Sequence, residues 1–132
     1  MKNVLVILAM TFSIACFYSF AKVSQGDPWV VPEKYLKMKN PVKADEGSLK
    51  TGKALYERHC QSCHGKTGRG DGTKAASLDT EPGDFSTKEF KAQVDGAMFY
   101  KVQAGRDEMP SFKTKIPEEE EIWHVVNYMK SL

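Results

Sequence analysis

The pentapeptide Cys60-Gln61-Ser62-Cys63-His64 constrains the fold of this chain more than any other feature. Two cysteines three positions apart, followed directly by a histidine, form the C-x-x-C-H pattern through which haem is attached covalently. On one helical turn both thiols can reach the vinyl groups of a porphyrin and form thioethers, while the histidine can bind the iron. The pattern predicts one covalent haem c, held by Cys60 and Cys63, with His64 as an iron ligand.

Other uses of a cysteine pair are weaker explanations. A thioredoxin-like redox pair needs a β-α-β context, which the sequence does not offer. A structural zinc site needs four ligands. Besides the two cysteines only His59, His64 and His124 could supply nitrogen, and two of these are crowded against the cysteines. A disulfide between Cys60 and Cys63 would close a strained small ring.

The second axial position of the iron is predicted to be filled by Met109. This methionine lies in a loop and is followed by Pro110, which stiffens the backbone and cannot continue a helix. Met98 and Met129 compete for the role, but both occupy helical positions with apolar neighbours, where methionine usually fills core space. His124 is a further candidate and is expected to be an ordinary helix-surface histidine. The predicted metal ligands are therefore His64 and Met109.

The N-terminus predicts export. Lys2 precedes an uncharged run over residues 4–21, and residues 1–21 are predicted to be a signal peptide cleaved after Ala21 or an uncleaved anchor that tethers the protein to a membrane. Lipidation at Cys16 is a weaker third possibility, because its sequence context lacks the usual leucine. Each alternative predicts a periplasmic location or one on the outer face of the cytoplasmic membrane.

Helix signals in the rest of the chain predict an all-α fold with long loops. Residues 22–47 contain three prolines and are expected to be an extended lead-in over a domain spanning residues 48–132. Ser48 is predicted to cap a helix that runs into the cysteine motif. A second helix is expected from Asp95 to Ala104, and Pro117 is expected to precede the last one.

Composition sets the broad limits. The chain has 132 residues, of which 41% are hydrophobic, and this length fits one small domain. The formal net charge is only +2, so the sequence lacks the basic character of a nucleic-acid-binding protein, and no nucleic-acid partner is expected.

Taken together, residues 48–132 resemble a class I, mitochondrial-type monohaem cytochrome c of the small bacterial kind. The motifs that carry the resemblance are the C-x-x-C-H sequence, the Gly70-Asp71-Gly72 turn and the Met109-Pro110 pair. The resemblance implies a cytochrome c fold in which the first and last helices cross. It also implies that Gly52 packs against an aromatic ring, expected to be Tyr128, because glycine lets a ring approach helix backbone.

Two strong axial ligands leave no open iron position, so the sequence predicts a one-electron carrier and not an enzyme. The expected partners are redox proteins of a respiratory chain, such as a terminal oxidase, a quinol-oxidising complex or a dehydrogenase. Two alternatives stay open from the sequence. One is a haem enzyme or gas sensor with a displaceable sixth ligand, and the other is a cytochrome subunit fixed in an oxidoreductase complex.

Overall fold

The computed structural model describes residues 28–132, and the regular structure there is helical. Within this range the β-type pairing is limited to a single bridge between Arg106 and Met109. The prediction of an all-α fold with long loops is confirmed. In chain order the helices are α1 (Glu33–Leu36), α2 (Glu46–His59), α3 (Gln61–His64), α4 (Lys88–Lys91), α5 (Asp95–Ala104) and α6 (Glu119–Ser131), with a 3₁₀ turn at Ala75–Ser77.

Helix α2 begins before the residue that the sequence pattern indicated. Its N-cap is Asp45, whose carboxylate accepts a hydrogen bond from the backbone N–H of Ser48 at 3.0 Å. The prediction of Ser48 as the cap is wrong, because Asp45 supplies the capping side chain and Ser48, inside the helix, donates its N–H to it. Ser48 lies inside the first turn and is buried.

The helix also ends before the cysteine motif is complete. Helix α2 stops at His59, and Cys60 adopts φ −117°, well outside the usual helical value. The short helix α3 then carries Cys63 and His64. The motif therefore spans the junction between two helices.

Helices α2 and α6 form the main packing contact of the domain. A cluster of glutamates at the start of α6 lies at the positive end of the helix dipole. The ring of Trp123 on α6 stacks on Phe99 of α5, with 4.3 Å between the ring centroids. The other buried side chains of α6 are Ile122, Val125, Val126, Asn127 and Met129.

The lead-in is docked on the helices and contains one helical turn, α1. Tyr35 of α1 donates a hydrogen bond to Gln103 of α5 at 3.2 Å. Further along, the amide nitrogen of Asn127 on α6 donates to the carbonyl of Val42 at 3.1 Å, and its amide oxygen accepts from Asn40 at 2.7 Å. Contacts with two separate helices therefore hold the segment in place.

The predicted signal peptide or anchor at residues 1–21 lies outside the described residues. Among residues 28–132, no helix has the length and apolar character needed to cross a membrane.

Candidate haem site

The loop after the cysteine motif folds back along it. The N–H groups of Gly70 and Gly72 donate to the carbonyls of His64 and Cys63, at 2.9 and 3.1 Å respectively. A side chain on Gly72 would collide with the backbone of Ser62 and Cys63, so only glycine permits this close approach. The predicted tight turn is therefore present, and it fixes the conformation of the motif from one side.

Tyr56 of α2 supports the motif from the other side. Its ring is fully buried, and its hydroxyl donates to the carbonyl of Gly65 at 2.7 Å. Burial, and secondarily the nearby Cys60 thiol, raises the pKa of Tyr56 above its ordinary value. The phenol therefore stays protonated and acts as a hydrogen-bond donor directly after His64.

The four residues predicted to hold haem, Cys60, Cys63, His64 and Met109, all line one cavity of about 240 Å³. Both thiols are free, with Cys60 buried and Cys63 partly buried. The structure thus brings Met109 to the same cavity as the cysteine motif, although it lies 45 positions after His64 in the sequence.

One ring nitrogen of His64, Nδ1, is buried and finds no hydrogen-bond partner among the described residues. Burial lowers the pKa of His64; the nearby Pro82 carbonyl opposes this lowering, but it does not satisfy Nδ1. A neutral imidazole is the form that binds metals, and buried polar atoms without partners are rare in folded proteins. The residue therefore fits an iron ligand.

The chemistry of Cys60 argues against the alternatives for the cysteine pair. Burial, reinforced by Cys63, raises the pKa of the Cys60 thiol to about 12. Dithiol redox catalysis depends on a thiolate with a lowered pKa, so the environment is unsuited to it. Between residues 28 and 132, no group of three or more His, Cys, Asp or Glu side chains could hold a metal ion, so a zinc site gains no support.

The loop that carries Met109 is held by its own backbone. The N–H and carbonyl groups of Arg106 and Met109 exchange two hydrogen bonds, at 2.8 and 2.9 Å, across a tight turn. Asp107 occupies the left-handed region at φ 51°, which aspartate tolerates better than most residues. At the start of the loop, a side chain on Gly105 would collide with the backbone of Pro110. The main chain at Met109 therefore has little freedom.

The competitors for the second axial position lie elsewhere. Met98 and Met129 belong to the hydrophobic core, with 1% and 6% of their surfaces exposed. The prediction of His124 as an ordinary surface histidine is wrong, since only 17% of its side chain is exposed and its Nδ1 lies 2.8 Å from the hydroxyl of Ser48. None of the three lines the cavity.

Several residues of the cavity wall were not predicted from the sequence. Trp29 of the lead-in lines the cavity, and the Arg106 guanidinium lies over its ring, 4.6 Å from the centroid. His59 and Phe112 also line it, with ring centroids 6.0 Å apart. The sequence does not show that these positions share one cavity, because they meet only through the tertiary fold.

Comparisons with known proteins agree with this picture. The family model described as cytochrome c oxidase, cbb3-type, subunit III matches residues 47–129, a range that contains the cysteine motif and Met109. A chain of the reducing HAO-like protein complex of Kuenenia stuttgartiensis is similar in structure, with a TM-score of 0.64 and 27% identity. The match covers 83% of this chain and 51% of that chain, so this protein spans about half the length of that relative. No curated protein matches the chain.

Proposed function

The chain belongs to the cytochrome family that the model of cytochrome c oxidase, cbb3-type, subunit III describes, and from this premise we propose that it is a small monohaem cytochrome c of class I. Its fold is that of cytochrome c, and it is an electron-transfer haem protein. The finer assignment, to one haem with histidine and methionine ligands, rests on the residues around the cavity.

The cavity supports a specific role for each residue. Cys60 and Cys63 would hold the haem through thioethers, and His64 and Met109 would bind its iron. When bound, the haem iron supplies a one-electron couple, whose potential methionine ligation raises. The observation that carries the proposal is that all four side chains line one cavity, while the competing methionines are buried in the core.

The confined Met109 loop favours a carrier over a haem enzyme or gas sensor. The two hydrogen bonds with Arg106 and the close approach at Gly105 restrict movement of the main chain next to the sulfur. A ligand restricted in this way is harder to displace by a small molecule. The role proposed for the protein is therefore to exchange single electrons with redox proteins, outside the cytoplasm as the N-terminal sequence predicts.

A fixed place in an oxidoreductase complex is a second candidate, because the similar solved chain is part of a protein complex. Purification of the tagged full-length chain from native membranes distinguishes the two. A free carrier separates from its partners at moderate salt, whereas a fixed subunit co-purifies in constant stoichiometry.

The axial assignment can be tested by replacing Met109 with alanine. Loss of the sulfur should open the sixth iron position, so the reduced variant should bind carbon monoxide, and the oxidised variant should lose the weak long-wavelength sulfur-to-iron absorption band. Met98→Leu is the matched control and should keep the wild-type spectra, because Met98 lies in the core. A Met109→Ala variant with the wild-type ferric spectrum would overturn the assignment.

A further inference from the structure

Glu108 connects two separate parts of the cavity wall. The residue is exposed and lies in the turn between Arg106 and Met109. One oxygen of its carboxylate, Oε2, accepts hydrogen bonds from the backbone N–H groups of Asp79 at 2.8 Å and Thr80 at 3.0 Å. A single side chain thus reaches across 28 and 29 positions of sequence to fix the backbone of another loop.

The loop that Glu108 binds belongs to the wall that includes His64. Thr80 and the residues after it, Glu81 to Gly83, line the same cavity as His64. The carboxylate therefore joins the loop beside one proposed iron ligand to the loop that carries the other.

The turn transmits this connection to Met109. Both backbone hydrogen-bonding groups of Met109 are paired with Arg106, so its main chain cannot move independently of the turn. Displacement of Met109 from the cavity would shift Glu108 and stretch its bonds to the loop at residues 79–80. Hydrogen bonds to a charged acceptor are among the stronger ones in proteins, so the two bonds to the Glu108 carboxylate should resist this displacement.

We propose that Glu108 is a positioning residue, which holds Met109 in place as an iron ligand by tying its loop to the backbone of Asp79 and Thr80. The inference rests on the proposed role of Met109. It assigns to Glu108 no contact with the iron or the haem.

Competition by imidazole for the iron of the oxidised holoprotein tests the proposal. Imidazole must displace Met109, so its affinity reports how firmly the methionine is held. Glu108→Ala should raise that affinity about tenfold, as expected when a charge-assisted hydrogen bond is lost. Glu108→Gln keeps an acceptor oxygen without the charge and should give a smaller increase. Glu89→Ala removes an exposed glutamate away from the cavity and serves as the control.

A double replacement separates positioning from a general loss of stability. In a Met109→Ala background the methionine no longer competes, so adding Glu108→Ala should leave the imidazole affinity unchanged. If Glu108→Ala prevents haem incorporation, the imidazole affinity of Glu108→Gln is compared with and without Met109 instead. Wild-type imidazole affinity in both Glu108 variants, or an equal increase with and without Met109, would overturn the inference. Absence of the sulfur-to-iron band in the wild type would instead overturn the role of Met109.

Discussion

Gly52 shows how one residue determines the approach of two helices. A Cβ at this position would collide with the backbone carbonyl of His124 on α6 and would lie 2.9 Å from the Cβ of Tyr128. The resemblance predicted that the ring of Tyr128 packs on Gly52, whereas the atom of Tyr128 that lies close to this position is its Cβ. The tighter constraint, however, is the neighbouring peptide carbonyl, which cannot move aside as a flexible side chain could. Gly52 is needed because the backbone of α6 packs onto it.

Replacing Gly52 with alanine should therefore lower the free energy of unfolding by about 1–3 kcal/mol, the usual cost of overpacking. The measurement is denaturant unfolding of the holoprotein. Gly47→Ala on the same helix is the matched control, since its Cβ would meet nothing closer than 3.5 Å. The control should be neutral or stabilising by up to about 1 kcal/mol, because alanine favours the helix. Equal denaturation midpoints for the two variants would contradict this account of the crossing.

At the scale of elements, local signals predicted some boundaries and missed others. Helix α5 has the bounds expected from the sequence, because Gly105 directly after it gives a strong stop signal. The start of α2 was misplaced because Asp45 and Ser48 are both good capping residues, and the sequence does not show which one faces solvent. The lead-in was expected to lie over the domain, but its specific contacts were not predictable, since Asn40 and its partner Asn127 are 87 positions apart.

Asn127 is the central residue of that docking and gives an element-scale prediction. It is buried, and its amide nitrogen donates to the Val42 carbonyl and to the hydroxyl of Ser48. Asn127→Ala should lower the free energy of unfolding by about 1–3 kcal/mol, because these groups lose a partner in a buried setting. Asn40→Ala should cost less, since Asn40 is only partly buried.

Thermal unfolding of the two holoprotein variants measures the difference. Protease sensitivity at residues 28–43 adds a local readout, which should rise more in Asn127→Ala than in Asn40→Ala. Wild-type protease sensitivity at residues 28–43 in Asn127→Ala would show that Asn127 does not hold the lead-in.

For the whole molecule, the cavity is the place where distant parts of the chain meet. Its wall combines Trp29 of the lead-in, the cysteine motif, the loop that begins at Leu78 and the turn before Met109. A ligand that binds only the folded form stabilises it by mass action, so haem and fold should support one another.

The candidate site was predictable only in part, because its wall is built from parts of the chain that are distant in sequence. The chemistry of the cysteine motif predicts Cys60, Cys63 and His64 as haem-binding residues, since few other uses exist for that sequence, and the proline after Met109 suggests Met109. Trp29 and Glu108 have no comparable signal. Trp29 reaches the cavity because the lead-in is docked on the domain. Glu108 binds backbone N–H groups about thirty positions away in the sequence.

The central claim is that the protein is a one-electron carrier with both axial positions of a single haem filled by His64 and Met109. An optical redox titration of the full-length holoprotein, performed under nitrogen and repeated under carbon monoxide, tests it most directly. We expect one reversible one-electron wave with the same midpoint under both gases, because Met109 leaves no position for the gas. Two waves, or a midpoint that rises under carbon monoxide, would contradict the claim.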